Sequence, residues 1–216
     1  MIQVKICGIT RTSDAIDAVS AGAGAIGLVF APESPRRVSV ARAGEIVAAV
    51  RGKISCVGVF RDQAAETVQA IIDRVNLDYL QFHGSESPGY CRAFPAGKWY
   101  KAFWLRPELH AEAIREYGER CFLLDGLLAA ENRGSAGRQD VPAGISWDRA
   151  REWAGQGRMI LAGGLNPDNV GEVVRRVRPY GVDVSRGVEK EPGIKDKEMI
   201  SRFVRQVREA DLGGAG

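Results

Sequence analysis

Short β-branched runs alternate with longer helical patterns along the whole chain, and this alternation constrains the fold more than any other feature. Strand candidates lie at 3–7, 25–30, 54–60, 78–82, 99–103, 122–125, 159–162 and 181–184. Helical patterns follow them at 13–20, 41–50, 63–75, 88–93, 107–117, 147–154, 167–177 and 197–210. Within 63–75, Val68, Ile71, Ile72 and Val75 recur at helical spacing, while Thr12/Ser13 and Asn166-Pro167 read as helix starts. Strands separated by helices pair in parallel, and eight right-handed units of this kind can close on themselves. The expected fold is therefore α/β, a single-domain eight-stranded parallel (βα)8 TIM barrel over residues 1–210 with a frayed tail at 211–216. The alternative, an open doubly wound sheet, is disfavoured because Cys7-Gly8-Ile9-Thr10 follows the first strand where such a sheet often carries G-x-G-x-x-G.

Composition excludes several classes. Hydrophobic residues make up 45% and charged residues 26% of the 216, a globular balance that rules out disorder as the main state. Net charge is +3, too small and dispersed to argue for nucleic acid, although arginine supplies 23 of the 30 cations and suits planar or anionic small ligands. Arg175, Arg176 and Arg178 cluster at the end of a helical pattern, where cations favour the macrodipole, so they read as a solvated face. The longest charge-free stretch, 18–32, is too short and too broken by Gly22, Gly24 and Gly27 to span a bilayer. Cysteines 7, 56, 91 and 121 form no C-x-x-C pair, and the chain holds only two histidines, so a zinc site is not expected. Met1 leads straight into a strand-like run without a signal-peptide pattern, so reduced thiols and a cytoplasmic location are expected.

In such a barrel the active site forms at the C-terminal ends of the strands. Cys7 ends the first strand, and strand alternation points Lys5 the same way, where its ammonium favours the thiolate. A buried lysine needs a partner, and Asp183, between Val182 and Val184, is the acid a closing seam would bring beside it. Asp125 follows Phe122-Leu123-Leu124 far from the next helix; a carboxyl isolated on apolar walls can keep its proton and act as a general acid. Gly163-Gly164 after strand seven, and Ser185-Arg186-Gly187 after strand eight, leave backbone N–H groups open to a phosphate. Arg36, in the loop after strand two, has the fork that matches a carboxylate; Gln81 and His83 flank the end of strand four. Each has a plainer reading: a buried cysteine, a helix-capping aspartate, tight glycine turns and a surface arginine. The segment 127–145, about 19 residues by this count, is the longest loop and is expected to serve function.

Taken together these residues resemble the phosphoribosylanthranilate isomerase family. The resemblance rests on Val4-Lys-Ile-Cys-Gly-Ile-Thr10, Ser34-Pro-Arg36, Gln81-Phe-His-Gly84, Leu123-Leu-Asp125, the Leu161–Val170 stretch, Gly181-Val-Asp-Val-Ser-Arg-Gly-Val-Glu189 and Gly193-Ile-Lys-Asp196. It implies a barrel enzyme without metal or coenzyme, acting on a small phosphorylated substrate as a monomer or homodimer in tryptophan biosynthesis. It implies an Amadori rearrangement with Asp125 as general acid and Cys7 as general base. Arg36 would hold the anthranilate carboxylate, and the glycine loops the phosphate. Gln81, His83, Asp183 and Ser185 would complete the substrate site, and Arg186, read on its own chemistry, is long enough to add a charged contact to the phosphate. Two departures stand out: Gly134-Ser-Ala-Gly137 is followed by a long stretch before Ile145-Ser-Trp147, and Arg186 stands where the family usually has a second serine.

Two rival functions remain at this stage. One is another sugar-phosphate enzyme, such as an epimerase or indole-glycerol-phosphate synthase; the synthase needs a lysine at a strand end, and Lys5 and Lys101 are the only lysines in the strand candidates. The other is a non-catalytic barrel that binds a phosphorylated ligand, which would need neither Cys7 nor Asp125.

Overall fold

The structure, a computed structural model, describes residues 1–105, 109–118, 121–126 and 147–213, with the side chains of 147–149 excepted. Eight parallel strands close into a barrel in sequence order. They are β1 (Gln3–Cys7), β2 (Ala25–Val29), β3 (Ser55–Phe60), β4 (Tyr79–Phe82), β5 (Trp99–Trp104), β6 (Cys121–Asp125), β7 (Arg158–Leu161) and β8 (Gly181–Val184). The helices are α1 (Thr12–Ser20), α2 (Val40–Val50), α3 (Ala65–Ile72), α4 (Pro88–Cys91), α5 (Ala111–Arg115), α6 (Trp147–Ala154), α7 (Val170–Val177) and α8 (Lys197–Leu212). Among the described residues no helix is long and apolar enough to cross a membrane.

The core follows from strand alternation. Val4, Ile6, Ile26, Leu28, Phe60, Phe82, Leu124, Leu161, Val182 and Val184 point outward and join one apolar layer with helix residues such as Ile46, Val68, Val173 and Phe203. The alternate residues point into the lumen, where Val57, Tyr100, Ala102, Leu123 and Ala162 pack together. The seam closes by pairing β1 with β8, with Lys5 opposite Asp183. Lys5 Nζ lies 3.0 Å from both carboxylate oxygens, so the expected pair across the seam forms.

Several sequence expectations shift. The helix expected over 63–75 spans only α3, because Asp62 adopts a left-handed φ of 52° and the chain tightens into turns after Ile72. The Thr12/Ser13 cap is replaced by Arg11, whose side chain makes no cap bond; Asp14 in the first turn instead takes the Arg11 guanidinium and the Lys195 N–H. The helix expected to start at Pro167 starts at Val170, because Asn166 Oδ1 accepts from the Asp168 and Asn169 N–H groups and caps the preceding turn instead. The helix expected over 107–117 begins at Ala111, and its residues 107 and 108 lie outside the described residues. α8 runs two residues past Ala210, so part of the expected tail is helical. After β8 come elements that strand periodicity did not predict: a 3-10 helix at Arg186–Val188, then a two-stranded antiparallel hairpin of β9 (Glu189–Glu191) and β10 (Ile194–Lys195).

Lys5 and Asp183 are both almost fully buried, so removing one charge strands the other. Asp183→Ala is expected to cost roughly 3–5 kcal/mol of stability in chemical denaturation. A cost under about 1 kcal/mol would mean the seam closes without the pair.

Candidate active site

The strand register stacks the reactive side chains at the C-terminal mouth. Cys7 on β1 pairs with Gly27 on β2, and both face the lumen. A Cβ at Gly27 would lie 2.7 Å from Cys7 Sγ and 3.1 Å from Lys5 Nζ, so the missing side chain makes room for both. Cys7 thus stands directly above Lys5, as alternation predicts. Burial pushes the Cys7 thiol above its ordinary range; the Lys5 charge pulls it down, and Asp183 pushes it up again. The expected help from Lys5 is therefore real in direction but outweighed. Burial would pull the Lys5 ammonium down, yet Asp183 more than offsets this, and the Lys5 pKa rises.

Beside Cys7 lies a second ionic cluster, centred on Glu189. Arg36 donates to it through Nε at 2.8 Å and Nη2 at 2.6 Å. Lys195 Nζ, fully buried, donates to it at 2.8 Å and to the Ser185 carbonyl at 3.1 Å. The Gly193 N–H adds a fourth bond at 3.2 Å. Arg36 is positioned by Gly8, whose φ of 74° turns the chain out of β1 so that the arginine stem lies across it. Glu189 occupies the Nε–Nη2 edge of the guanidinium and leaves the Nη1–Nη2 edge for a second carboxylate. Arg37 is exposed.

On the other side of the mouth, register carries Gln81 to Tyr100 and Trp104 to Asp125. Asp125 is not isolated on apolar walls as expected: its Oδ2 lies 3.3 Å from His83 Nε2. The signal for this contact was present, since His83 and Asp125 both continue the lumen-facing set of their strands. Gln81 is fully buried beneath His83, with Nε2 at 2.9 Å from His83 Nδ1 and Oε1 accepting from the Tyr100 hydroxyl at 3.1 Å. Lys101, the other candidate lysine, is also buried. Its ammonium donates to the carbonyls of Phe82, Gly84 and Ala102 and lies 3.3 Å from Glu86, so it braces the β4 loop instead of facing the mouth.

Between these two sides stand the loops after β7 and β8. Gly163 and Gly164 have φ of 94° and 77°, and a side chain at Gly163 would collide with the Gly126 backbone. A side chain at Gly187 would collide with the Leu165 carbonyl, so only glycine lets the two loops meet. Ser185 lies at the end of β8 with its Oγ 3.4 Å from Lys195 Nζ, while Arg186 is exposed at the start of the 3-10 helix. The Gly134–Gly137 motif and the rest of 127–145 lie outside the described residues. A cavity of about 290 Å³ opens at the opposite mouth, between Ile2, Arg178 and Tyr180; reactive groups, not that cavity, locate the site. Among the described residues no group of three or more histidine, cysteine or acidic side chains could hold a metal ion.

Glu189 and Lys195 were given no separate role from sequence, although both stood in the recognised motifs. Lys195 is a strand lysine, on β10, that the strand candidates omitted. Burial pushes the Glu189 carboxyl up, but hydrogen bonds and charge from Arg36 and Lys195 outweigh it and hold the group at about 2. The Lys195 ammonium is pulled down by burial in spite of Glu189, which partly offsets the gain. A carboxyl lowered in the folded state stabilises above its unfolded value and loses that contribution as pH falls through its folded value. The unfolding free energy is therefore expected to drop by up to about 3 kcal/mol between pH 4.5 and pH 2. Glu189→Gln should flatten that part of the profile; an equally steep acid limb in the variant would locate the titrating group elsewhere.

Comparison with known proteins places the chain in a family. The model of the N-(5'phosphoribosyl)anthranilate (PRA) isomerase family matches residues 4–206. An N-(5'-phosphoribosyl)anthranilate isomerase from Geobacter sp. (strain M21) is 41% identical over 208 residues, covering 96% of this chain and 98% of the relative. The enzyme of that name from Halorhodospira halophila is 43% identical over 211 residues, covering 97% and 98%. Among solved structures, phosphoribosyl anthranilate isomerase from Thermotoga maritima superposes with a TM-score of 0.82 at 33% identity, covering 97% of this chain and all of that one. A phosphoribosyl anthranilate isomerase in complex with reduced 1-(o-carboxyphenylamino)-1-deoxyribulose 5-phosphate gives 0.83 at 33% identity, with the same coverage. With the family model spanning nearly the whole chain, and a relative 41% identical over 96% of it, this chain belongs to the N-(5'-phosphoribosyl)anthranilate isomerase family.

Proposed function

We propose that the chain converts N-(5-phosphoribosyl)anthranilate to 1-(2-carboxyphenylamino)-1-deoxyribulose 5-phosphate, the Amadori step of tryptophan biosynthesis. The observation that carries this reading is the arrangement of the mouth: Cys7 on β1 and Asp125 on β6 are separated by β7 and β8, whose glycine loops lie between them. A substrate anchored by its phosphate in those loops has a carboxyl on one side and a thiol on the other.

Each group then has one task. Asp125 delivers a proton to the ribose ring oxygen, and the ring opens to an iminium ion. The iminium nitrogen withdraws electrons and acidifies the neighbouring C2 hydrogen. Cys7, as the thiolate, removes that proton, and the resulting enolamine tautomerises to the ketone. The positive iminium adds to the pull of Lys5 and Lys195, offsetting the burial that holds the free thiol protonated. The Nη1–Nη2 edge of Arg36 receives the anthranilate carboxylate. Asp183 acts through Lys5, to which both its oxygens are committed. Arg186, exposed beside the phosphate loop, would add a charged contact to the backbone cradle.

The decay of phosphoribosylanthranilate fluorescence, with the substrate generated in place, tests the activity directly. A single proton transfer is typically worth ~10²–10⁴ in rate. Cys7→Ala and Asp125→Asn are each expected to lower kcat by at least about a hundredfold with little effect on product affinity, while Cys56→Ala stays near wild type. Wild-type kcat in Cys7→Ala would remove the thiol as base, and no decay with the parent chain would overturn the activity itself.

Arg36→Met keeps the side-chain length and loses the fork. A charge-assisted hydrogen bond contributes about 1.5–3 kcal/mol, so KM should rise by about one to two decades where binding is at equilibrium. An equal rise for an analogue without the carboxylate would show that Arg36 acts through Glu189 alone.

A further inference from the structure

The general-acid reading of Asp125 leaves a question the geometry can answer: on which atom does the transferable proton sit? His83 is a second titratable ring 3.3 Å from the same carboxyl, and a proton could rest on either group. We propose that Gln81, held by Tyr100, fixes His83 as the tautomer protonated at Nε2, which ties up Asp125 Oδ2 and leaves Oδ1 to carry the proton that the substrate receives. This rests on the reading of Asp125 as the acid and adds two positioning residues, Gln81 and Tyr100, that never touch the reacting atoms.

The chain of bonds runs in one direction. A phenol can donate one proton; burial pushes the Tyr100 hydroxyl above its ordinary range, so it stays a donor. It lies 3.1 Å from Gln81 Oε1, which fixes that end of the amide as the acceptor. The other end, Nε2, can only donate, and it lies 2.9 Å from His83 Nδ1. Nδ1 must then offer its lone pair, and the ring's own proton stands on Nε2. There it lies 3.3 Å from Asp125 Oδ2, within ion-pair reach of that oxygen.

The opposite setting fails at its far end. With the amide reversed, His83 would hold its proton on Nδ1, and the bare Nε2 would face Oδ2. Two lone pairs at that distance repel unless Asp125 protonates Oδ2, which moves the proton away from the mouth. In the proposed setting, Oδ2 faces the His83 N–H, and Oδ1 lies on the side of the β7 loop; a Cβ at Gly163 would lie 2.8 Å from it. That is the edge of the proposed phosphate cradle, where the sugar must lie.

His83 itself cannot drift. Its backbone N–H donates to the Phe60 carbonyl at 2.8 Å, and its ring lies 6.2 Å from that of Trp104. Of the neighbouring charged groups, Glu86 accepts from the Asp62 and Gly84 N–H groups, Asp62 from the Ser85 N–H, and Lys101 donates to the carbonyls of Phe82, Gly84 and Ala102. Glu86 and Lys101 also form a buried ion pair. Among the described residues, Asp125 is the charged group within ion-pair reach of the imidazole.

The chain has only two histidines, so ¹⁵N-histidine labelling gives two imidazoles, and the exposed His110 serves as reference. At neutral pH the full chain should show His83 with a pyridine-type Nδ1 and a pyrrole-type Nε2, while His110 averages its tautomers. Tyr100→Phe keeps the volume and removes the donor that orients Gln81; Gln81→Leu removes the lock. In both, His83 should shift toward a tautomer mixture, with kcat lower by about threefold to tenfold and KM within about twofold, the loss expected for one neutral hydrogen bond. Should Gln81→Leu fail to fold, Tyr100→Phe alone decides. A wild-type His83 protonated at Nδ1 overturns the proposal, as does an unchanged tautomer in Tyr100→Phe. Asp125→Asn separates the two readings: its amide oxygen still accepts from Nε2, so the tautomer should persist while kcat falls. A retained kcat there would defeat the acid reading while the tautomer signal still reports on the lock.

Discussion

A lysine ammonium buried inside the barrel has to be answered by a carboxylate; of the two strands that flank Lys5, β2 offers Ala25 and β8, which closes the ring, offers an acid. Asp183 answers with both oxygens at 3.0 Å. The pair sits one layer below the catalytic mouth, on the same faces of β1 and β8 that present Cys7 and Ser185. Closing the barrel and placing the thiol are consequently one event. A slip of one residue in β1 would turn Lys5 and Cys7 toward the helices and Val4 and Ile6 into the lumen.

The mouth is electrostatically lopsided. On the Cys7 side three cations, Lys5, Arg36 and Lys195, meet two carboxylates, Asp183 and Glu189, which leaves one positive charge in excess. The other side holds one carboxyl, Asp125, against a histidine. A substrate with a phosphate and a carboxylate complements the first side. Among the described residues the second side brings no lysine or arginine against Asp125. The Glu189 cluster also ties the β9–β10 hairpin to the β2 loop through Arg36 and to the end of β8 through Lys195.

Much of this could be read in the sequence because the information was periodic. The eight strands appear within one or two residues of their expected bounds, since each combines an apolar outer set with a lumen-facing one. Cys7, Lys5, Asp125 and Asp183 could be assigned to the lumen by counting in twos from that outer set. What escaped was not periodic. Glu189-Lys190-Glu191 and Ile194-Lys195 are too short and too polar to show alternation, and their pairing depends on Glu189 finding Arg36 from 153 residues away. Helix ends shifted for a related reason: Asn166 and Asp14 have side chains that cap either a helix or a turn, and only tertiary partners decide which.

Asp125 shows most clearly what a single strand cannot reveal. Its neighbours in sequence are leucines, so read alone it is an acid among apolar groups. Its true partner stands two strands away around the barrel wall, and the contact exists because two registers compose. Val59 faces Gln81, Gln81 faces Tyr100, and Trp104 faces Asp125, so the lumen-facing residues of β4, β5 and β6 climb together toward the mouth. Each step in that climb adds one polar group to the chain from Tyr100 through Gln81 and His83 to the carboxyl. A polar side chain can be buried at the fully enclosed position of Gln81 only if both ends of its amide are satisfied, and the barrel supplies a phenol at one end and an imidazole at the other. The requirement that keeps the glutamine buried thus places its amide nitrogen against the imidazole that stands beside Asp125.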